Sequence, residues 1–322
     1  MANVVFRGLG TALVTPWKSD GSLDEEAFVR FVDWQIAEGV NFLVPCGTTG
    51  ENPAMSVDEH RRVVEITVRT ANGRVPVLAG AGSNSTEKAI ELALTAVDLG
   101  ADGVLTITPY YNKPTPDGLR RHFGEQAAAI EKKRAGFPMI LYNVPSRTGV
   151  NMTAETTLRI AREVPNVVGV KEASALMEQI LTILRDRPPG FLVLSGDDAW
   201  TLPMMACGGE GIISVASNEV PRLMRLMVDE RSVAIMNRLL PLLAGNFIES
   251  NPIPVKAAMK MMGILESDTV RSPLAPIAEA NRASGAAQLL CLGRHAHARA
   301  KAPHSGSLTG QRQGRNRACV CG

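Results

Sequence analysis

Short segments that are apolar throughout alternate with longer amphipathic segments along the chain. Eight such apolar segments occur, with centres roughly 20 to 36 residues apart, which is the length of one strand-and-helix unit. They are GTALVTP, NFLVPCG, VPVLAGAG, DGVLTITP, PMILYNVP, NVVGVKEA, FLVLSGDD and EGIISVAS. Because they do not alternate with polar residues, they are typical of parallel strands that are covered on both faces.

The segments between the apolar runs have the period of amphipathic helices. Residues 24–37 begin with an acidic turn, and the helix from Ser56 begins with a capping serine and has Glu59 three residues later. Further helices are predicted at residues 87–99, 116–133, 153–162, 174–187 and 200–207. Eight alternating pairs predict an α/β protein, a closed (β/α)8 TIM barrel. The alternative is a doubly wound sheet that binds a dinucleotide. It would need GxGxxG after the first strand, where the chain reads TPWKSDGS.

The pattern divides the chain into three parts. Residues 1–218 are predicted to form the barrel, and residues 219–283 a C-terminal helical extension with segments such as VPRLMRLMV and VAIMNRLLPLLA. Residues 284–322 lose the helical period and contain six Arg and Lys residues but no Asp or Glu, although the whole chain has a net charge of only +2. We expect this basic low-complexity tail to be disordered, or to be the artefact of a reading-frame shift.

Composition and charge exclude several classes of protein. A chain of 322 residues with 45% hydrophobic residues can bury one large core. The barrel region has no basic cluster of the kind that binds nucleic acid, and no segment approaches membrane-spanning length, so neither partner is expected. An arginine interrupts the apolar N-terminal stretch, which is unlike a signal peptide and predicts a cytoplasmic location.

The cysteines lack the spacing of a disulfide framework or of paired metal ligands: Cys46, Cys207, Cys291, Cys319 and Cys321.

Candidate catalytic residues follow the strands, because barrel enzymes place their chemistry at the carboxyl ends of the strands. Lys171 follows the sixth apolar segment, where burial would lower its pKa and leave a neutral amine that can form an imine with a ketone. The alternative is a lysine at the rim paired with Glu172 or another carboxylate. Tyr142 ends the fifth segment. It is either a proton donor and acceptor for the imine or an ordinary core tyrosine.

Other strand ends carry groups that suit carboxylates. Thr48 and Thr49 lie in a glycine-flanked turn that either holds a small carboxylate or uses threonine for local capping. Arg147 either offers a bidentate guanidinium to a second carboxylate or is a surface arginine. Asp197 and Asp198 have no third metal ligand at a useful spacing, so we interpret both as helix caps.

Together these motifs resemble the dihydrodipicolinate synthase family, within the pyruvate-dependent class I aldolase and N-acetylneuraminate lyase superfamily. The motifs are GTTGE at 47–51, PYYNKP at 109–114, YNVPSRTG at 142–149, GVKEAS at 169–174, SGDD at 195–198 and NPIPVK at 251–256. Their order matches the family from about residue 5 to residue 282. The resemblance implies a lyase that condenses pyruvate with L-aspartate 4-semialdehyde to 4-hydroxy-tetrahydrodipicolinate. This step belongs to diaminopimelate and lysine biosynthesis and needs neither a metal nor an organic cofactor.

The resemblance implies a role for each catalytic residue. Lys171 matches the lysine that forms the Schiff base. Tyr142, Thr48 and Tyr111 match a proton relay in which Tyr111 comes from a neighbouring subunit, so a homotetramer built as a dimer of dimers is expected. An inactive barrel kept as a binding protein would have replacements at Lys171, Tyr142 or Thr48, and none of these residues is replaced.

The resemblance also implies the binding residues. Thr49 and Gly50 match the site for the pyruvate carboxylate, with Ile213 as a nearby backbone contact, and Arg147 matches the site for the semialdehyde carboxylate. The alternatives are N-acetylneuraminate lyase and keto-deoxy sugar acid aldolases, which share the barrel and the lysine but use other aldehydes. The SRTG sequence around Arg147 favours the small charged semialdehyde.

A further implication of the resemblance is an allosteric lysine site at a dimer interface. The matching residues are Asn52, Pro53, Val57, His60, Asn84, Lys88 and Tyr110. His60, Asn84 and Tyr110 suit lysine binding, whereas Val57 replaces a polar contact. Lys88 stands where a carboxylate would bind the ammonium of lysine, so the charge is reversed. We therefore expect weak inhibition by lysine.

Overall fold

The eight apolar segments form eight strands in the computed structural model, which describes residues 6–283; the predicted tail lies outside this range. The strands are β1 (Gly8–Ala12), β2 (Phe42–Val44), β3 (Leu78–Gly80), β4 (Gly103–Ile107), β5 (Met139–Asn143), β6 (Val167–Glu172), β7 (Leu192–Ser195) and β8 (Gly211–Ser214). They pair in parallel in the order β2-β1-β8-β7-β6-β5-β4-β3. The end strands also meet, because Leu43 forms a parallel bridge with Val77. This confirms the predicted TIM barrel.

Helices follow the strands and cover the outside of the barrel. They are α1 (Glu25–Ala37), α2 (Val57–Ala71), α3 (Thr86–Asp98), α4 (Pro116–Lys133), α5 (Pro145–Thr148), α6 (Ala154–Glu163), α7 (Met177–Asp186) and α8 (Thr201–Ala206). The capping box expected at Ser56 is present: its hydroxyl accepts from the Glu59 N–H at 3.1 Å, and the Glu59 carboxylate accepts from the Ser56 N–H at 2.9 Å. The periodicity does not predict α5, because four residues are too few to show a helical period.

Within residues 6–283, β8 is followed by α9 (Pro221–Glu230), α10 (Val233–Gly245) and α11 (Ile253–Met261), and residues 279–283 are also helical. They occupy much of the predicted helical extension, whereas residues 264–278 form neither helix nor strand. Among residues 6–283, no helix is both long and apolar enough to pass through a membrane.

The hydrophobic core has two layers, one inside the barrel and one between the strands and the helices. Inside the barrel, the rings of Phe6 and Phe42 meet edge to face, with 5.5 Å between their centroids. Gly10 makes room for this packing, because a Cβ at that position would lie 2.2 Å from the Phe42 ring. Tyr142 belongs to the same inner cluster. Its ring therefore extends the packed interior of the barrel toward the carboxyl ends of the strands.

A buried ion pair attaches the C-terminal segment to the barrel. The Lys256 ammonium, on α11, is fully buried and donates to a carboxylate oxygen of Glu51 at 2.8 Å. It also donates to the carbonyls of Thr15 at 2.9 Å and Thr269 at 2.5 Å. The other Glu51 oxygen accepts from the Arg271 backbone N–H at 2.9 Å. Buried charges are tolerated when they are paired and hydrogen-bonded, so these contacts hold Glu51, the last residue of the GTTGE turn, against the C-terminal segment.

Candidate active site

The carboxyl ends of the strands open into a cavity of about 400 Å³. Its walls come from the turn after β2, the ends of β5, β6 and β7, the turn after β8 and the segment between α10 and α11. This is the end at which barrel enzymes bind their substrates. The structure brings several of the expected site residues together here: Thr48, Thr49, Tyr142, Arg147 and Lys171.

Lys171 is the penultimate residue of β6, and only 6% of its surface is exposed. The carboxylate of the neighbouring Glu172 forms hydrogen bonds with other residues. It accepts from the Asn143 amide at 3.1 Å and from the Ser174 N–H at 2.8 Å. The alternative interpretation, a rim lysine paired with Glu172, is therefore wrong.

Burial lowers the pKa of Lys171 to about 7, because a desolvated site disfavours the ammonium form. The negative charge of Asp198 opposes this shift, and the positive charge of Arg147 adds to it. About half of the amine is then neutral and nucleophilic at neutral pH. Gly196 leaves space for the side chain, because a Cβ there would lie 3.0 Å from Lys171 Cε and 2.7 Å from the Ala173 Cβ.

Tyr142 is the register partner of Lys171 across the β5–β6 pair, and the lysine Nζ lies 4.3 Å from the centroid of the tyrosine ring. Burial raises the pKa of the phenol, while the charge of Arg147 and a side-chain hydrogen bond from Thr48 partly offset this shift. The phenol therefore keeps its proton at neutral pH. It can donate that proton to negative charge that develops beside Lys171.

The turn after β2 presents small polar groups to the cavity. The Gly50 N–H donates to the Gly47 carbonyl at 3.1 Å, which closes the turn. The Thr49 hydroxyl oxygen accepts from the Asn251 amide at 3.0 Å, so the turn is also held by the C-terminal segment. The sequence assigned no role to Asn251. This residue lines the cavity, is 5% exposed, and has an Oδ1 atom without a hydrogen-bond partner among residues 6–283.

Arg147 lies on α5 at the rim of the cavity, with an exposed side chain. Its guanidinium donates to the Asn251 carbonyl at 3.4 Å. The helix ends one turn after Pro145 because Gly149 adopts a left-handed conformation with φ +70°. A guanidinium has five N–H groups, so Arg147 retains donors for an anionic ligand.

Neither Asp197 nor Asp198 caps α8, so our interpretation of both as helix caps is wrong. Asp198 is 1% exposed and accepts from the Ser214 hydroxyl at 2.5 Å and from the Val215 N–H at 3.1 Å. Asp197 accepts from the Ala199 N–H at 2.9 Å, ahead of the helix. Asp198 thus anchors the end of β8 beneath the cavity, and Asp197 remains in the cavity wall.

Three other expected site residues, Gly50, Ile213 and Tyr111, do not line this cavity. Ile213 is 1% exposed and its side chain packs inside the barrel, so any contact with a ligand would come from its backbone. Tyr111 is 88% exposed and left-handed, with φ +71°, and its N–H donates to the Thr148 carbonyl at 3.3 Å. One copy of the chain therefore does not bring the Tyr111 phenol to Lys171.

A second cavity of about 380 Å³ lies beside the first and shares Thr48, Tyr142 and Arg147 with it. Its lining includes four of the residues expected at an allosteric lysine site: Asn52, Pro53, Lys88 and Tyr110. The Lys88 side chain is exposed there, so the cavity carries a positive charge.

The other residues expected at the allosteric site, His60, Asn84 and Val57, do not line the second cavity. His60 is 1% exposed, and its Nε2–H donates to the Gly80 carbonyl at 2.7 Å. Burial lowers its pKa, and the charge of Lys88 lowers it further, so the ring is neutral. The Asn84 carbonyl accepts from the Asn112 amide at 3.1 Å, and Val57 is 41% exposed.

The groups in the first cavity suit covalent chemistry on a small keto acid. A neutral amine can form an imine, a phenol and a hydroxyl can move protons, and a guanidinium can hold a carboxylate. Within residues 6–283, no cluster of three or more His, Cys, Asp or Glu residues is placed to hold a metal ion.

Comparisons with known proteins agree with this chemistry. The model of the Dihydrodipicolinate synthetase family matches residues 5–290. A 4-hydroxy-tetrahydrodipicolinate synthase of Oleidesulfovibrio alaskensis is 51% identical over 283 residues, which cover 86% of this chain and 94% of that protein. One from Maridesulfovibrio salexigens is 49% identical over 297 residues, covering 90% and 99%. The solved structure of a chloride-inhibited dihydrodipicolinate synthase from Acinetobacter baumannii, complexed with pyruvate, is 40% identical. It has a TM-score of 0.86 and covers 90% of this chain and 99% of that one.

Proposed function

The chain belongs to the dihydrodipicolinate synthetase family, and from this premise we propose that it condenses pyruvate with L-aspartate 4-semialdehyde to form 4-hydroxy-tetrahydrodipicolinate. It is a lyase of diaminopimelate and lysine biosynthesis. The observation that carries this assignment is Lys171, a buried amine with a pKa of about 7 beside the Tyr142 ring. Such an amine is a nucleophile toward the keto group of pyruvate.

The reaction begins on Lys171. Its neutral amine attacks the keto carbon of pyruvate, and the adduct loses water to give an imine. The imine withdraws electrons from the methyl group, which loses a proton and becomes the nucleophilic carbon of an enamine. This carbon attacks the aldehyde carbon of the second substrate, whose oxygen takes up a proton. The amine of the second substrate then displaces Lys171, which closes the ring and frees the lysine.

Proton transfers in these steps fall to Tyr142, Thr48 and Tyr111. The position of the Tyr142 ring at 4.3 Å from Lys171 Nζ and its hydrogen bond with Thr48 support this assignment. Tyr111 completes the relay from a second subunit, a proposal supported by its exposure and by its absence from the cavity lining of its own chain. We therefore also propose a homo-oligomer, built as a dimer of dimers.

Substrate carboxylates bind at two places in this proposal. The pyruvate carboxylate occupies the turn at Thr49 and Gly50, near the backbone of Ile213. The carboxylate of the semialdehyde binds Arg147. Every step uses amine, phenol, hydroxyl or guanidinium chemistry, so the proposal includes no metal or organic cofactor. A cytoplasmic location remains a prediction.

Reduction with borohydride in the presence of pyruvate tests the chemistry. One pyruvate-derived adduct should appear on Lys171, and the Lys171→Met variant should give none. Lys256, the other buried lysine among residues 6–283, is paired with Glu51 and provides an internal control that should stay unmodified. The absence of an adduct on Lys171 would contradict the proposal.

Turnover with different aldehydes tests the substrate. The enzyme should use L-aspartate 4-semialdehyde in preference to N-acetylmannosamine and glyceraldehyde. Faster turnover of either of the other two aldehydes would identify a related aldolase instead. In each case, pyruvate consumption is followed under identical conditions.

A further inference from the structure

A buried ion pair lies directly behind the turn that follows β2, and the proposed reaction does not use it. Glu51 is 3% exposed and Lys256 is fully buried. Glu51 is absent from the lining of both cavities, so a substrate in either cavity does not touch its carboxylate. Replacing a buried ion pair with apolar residues of similar volume is often neutral or stabilising, because both charges have left water. The pair therefore calls for a role other than stability.

The backbone of Glu51 has a conformation that residues other than glycine rarely adopt. Its φ is +61°, in the left-handed region, where the Cβ of an L-residue crowds its own backbone. This conformation tightens the turn, because the Glu51 N–H donates to the Thr48 carbonyl at 3.0 Å. A strained residue persists only where its surroundings hold it in place.

Three hydrogen bonds hold the Glu51 carboxylate. Its Oε1 accepts from the Trp17 indole N–H at 2.9 Å and from the Lys256 ammonium at 2.8 Å. Its Oε2 accepts from the Arg271 backbone N–H at 2.9 Å. Trp17 follows β1, whereas Lys256 and Arg271 belong to the C-terminal segment, so the carboxylate is fixed from two parts of the chain.

Lys256 also holds the turn by a second route. Its ammonium donates to the Thr15 carbonyl at 2.9 Å, and the Thr15 hydroxyl donates to the Gly50 carbonyl at 2.8 Å. A Cβ on Gly50 would lie 3.1 Å from the Leu13 carbonyl oxygen, so the turn packs closely on the residues after β1. One ammonium is thus connected both to Gly50 and to Glu51.

We propose that Glu51 and Lys256 are positioning residues, which hold Thr49 and Gly50 in the conformation that binds the pyruvate carboxylate. The inference rests on the proposed function. The keto group of pyruvate reacts at Lys171 on β6, whereas the pair lies behind the turn after β2. Loss of the pair should therefore weaken the reaction of a ketone that carries a carboxylate and spare a ketone that has none.

The variant that combines Glu51→Gln with Lys256→Met tests the inference, because it removes both charges together and leaves neither unpaired in the interior. Two ketones are compared by trapping the imine on Lys171 with cyanoborohydride. They are pyruvate and acetone, which has the same keto group with a methyl group in place of the carboxylate. We expect the second-order rate constant with pyruvate to fall about tenfold, the scale of one weakened hydrogen bond to a charged group. The rate constant with acetone should stay unchanged.

A second variant, Thr15→Val, keeps the ion pair and removes only the hydroxyl that donates to Gly50. It should show a smaller loss with pyruvate and again no loss with acetone. The control combines Arg187→Met with Glu210→Gln, which removes a partly buried ion pair ahead of β7 and β8 and should leave both rate constants unchanged.

The comparison of the two ketones separates positioning from a general loosening of the site. Equal losses with pyruvate and acetone, or no loss with pyruvate in either variant, would overturn the inference. A wild-type enzyme that gives no adduct with pyruvate would instead contradict the proposed function.

Discussion

The pH dependence of imine formation tests the environment of Lys171 directly. Its pKa of about 7, against an ordinary value of 10.5, makes the neutral amine about 700 times more abundant at pH 7.5. Between pH 6 and pH 8 the neutral fraction rises about tenfold and then levels off, whereas it would rise about 100-fold for an ordinary lysine. The rate of imine formation with pyruvate should follow the neutral fraction, because only the neutral amine is nucleophilic.

Trapping with cyanoborohydride followed by intact-mass measurement gives this rate between pH 5.5 and pH 10. The Arg147→Gln variant adds a second test, because the Arg147 charge lowers the pKa of Lys171 and its removal should move the midpoint to higher pH. Arg121→Gln removes an exposed arginine paired with Glu125 on α4 and should leave the midpoint unchanged. A rate that keeps rising tenfold per pH unit beyond pH 9 would refute the assignment of a desolvated amine.

The remaining predictions concern packing and regulation. In Gly196→Ala, the new Cβ would lie 3.0 Å from Lys171 Cε, so trapping of the imine should slow about 100-fold. The control is Gly124→Ala, whose Cβ meets nothing within 4 Å and which should trap the imine at the normal rate. Equal rates in the two variants would contradict the close packing of Gly196 against Lys171. Lysine should inhibit weakly, because the Lys88 ammonium lines the second cavity and repels a cationic ligand. Inhibition should strengthen in Lys88→Glu, and half-maximal inhibition of the wild-type enzyme at sub-millimolar lysine would disprove the expectation.

The pairing of Lys171 with Tyr142 could be predicted from the sequence because both residues lie near the carboxyl ends of consecutive strands of a parallel barrel. Successive residues of a strand point to opposite faces. The same alternation explains why Glu172 does not pair with Lys171: it contacts Asn143, the residue after Tyr142, on the other face. The two-residue period of a strand therefore excludes the pairing of Lys171 with Glu172, an alternative that the composition left open.

Other parts of the site could not be predicted in this way. Asp197 and Asp198 are adjacent in a turn, and only the backbone path determines that one lies in the cavity wall while the other is buried beneath β8. Glu249 and Asn251, which line the cavity between α10 and α11, lie far along the chain from Lys171 and follow a helix instead of a strand. A rule based on strand ends therefore does not find them.

The buried pair of Lys256 and Glu51 determines when, during synthesis of the chain, the turn after β2 acquires its contacts with the C-terminal segment. A ribosome completes all eight strands and Lys171 before it adds Asn251, Lys256 and Arg271. Until those residues leave the exit tunnel, the turn at Thr49 lacks the partners that hold it. A nascent chain that ends before Asn251 therefore contains Lys171 but lacks the side chain that fixes the Thr49 hydroxyl in the cavity wall.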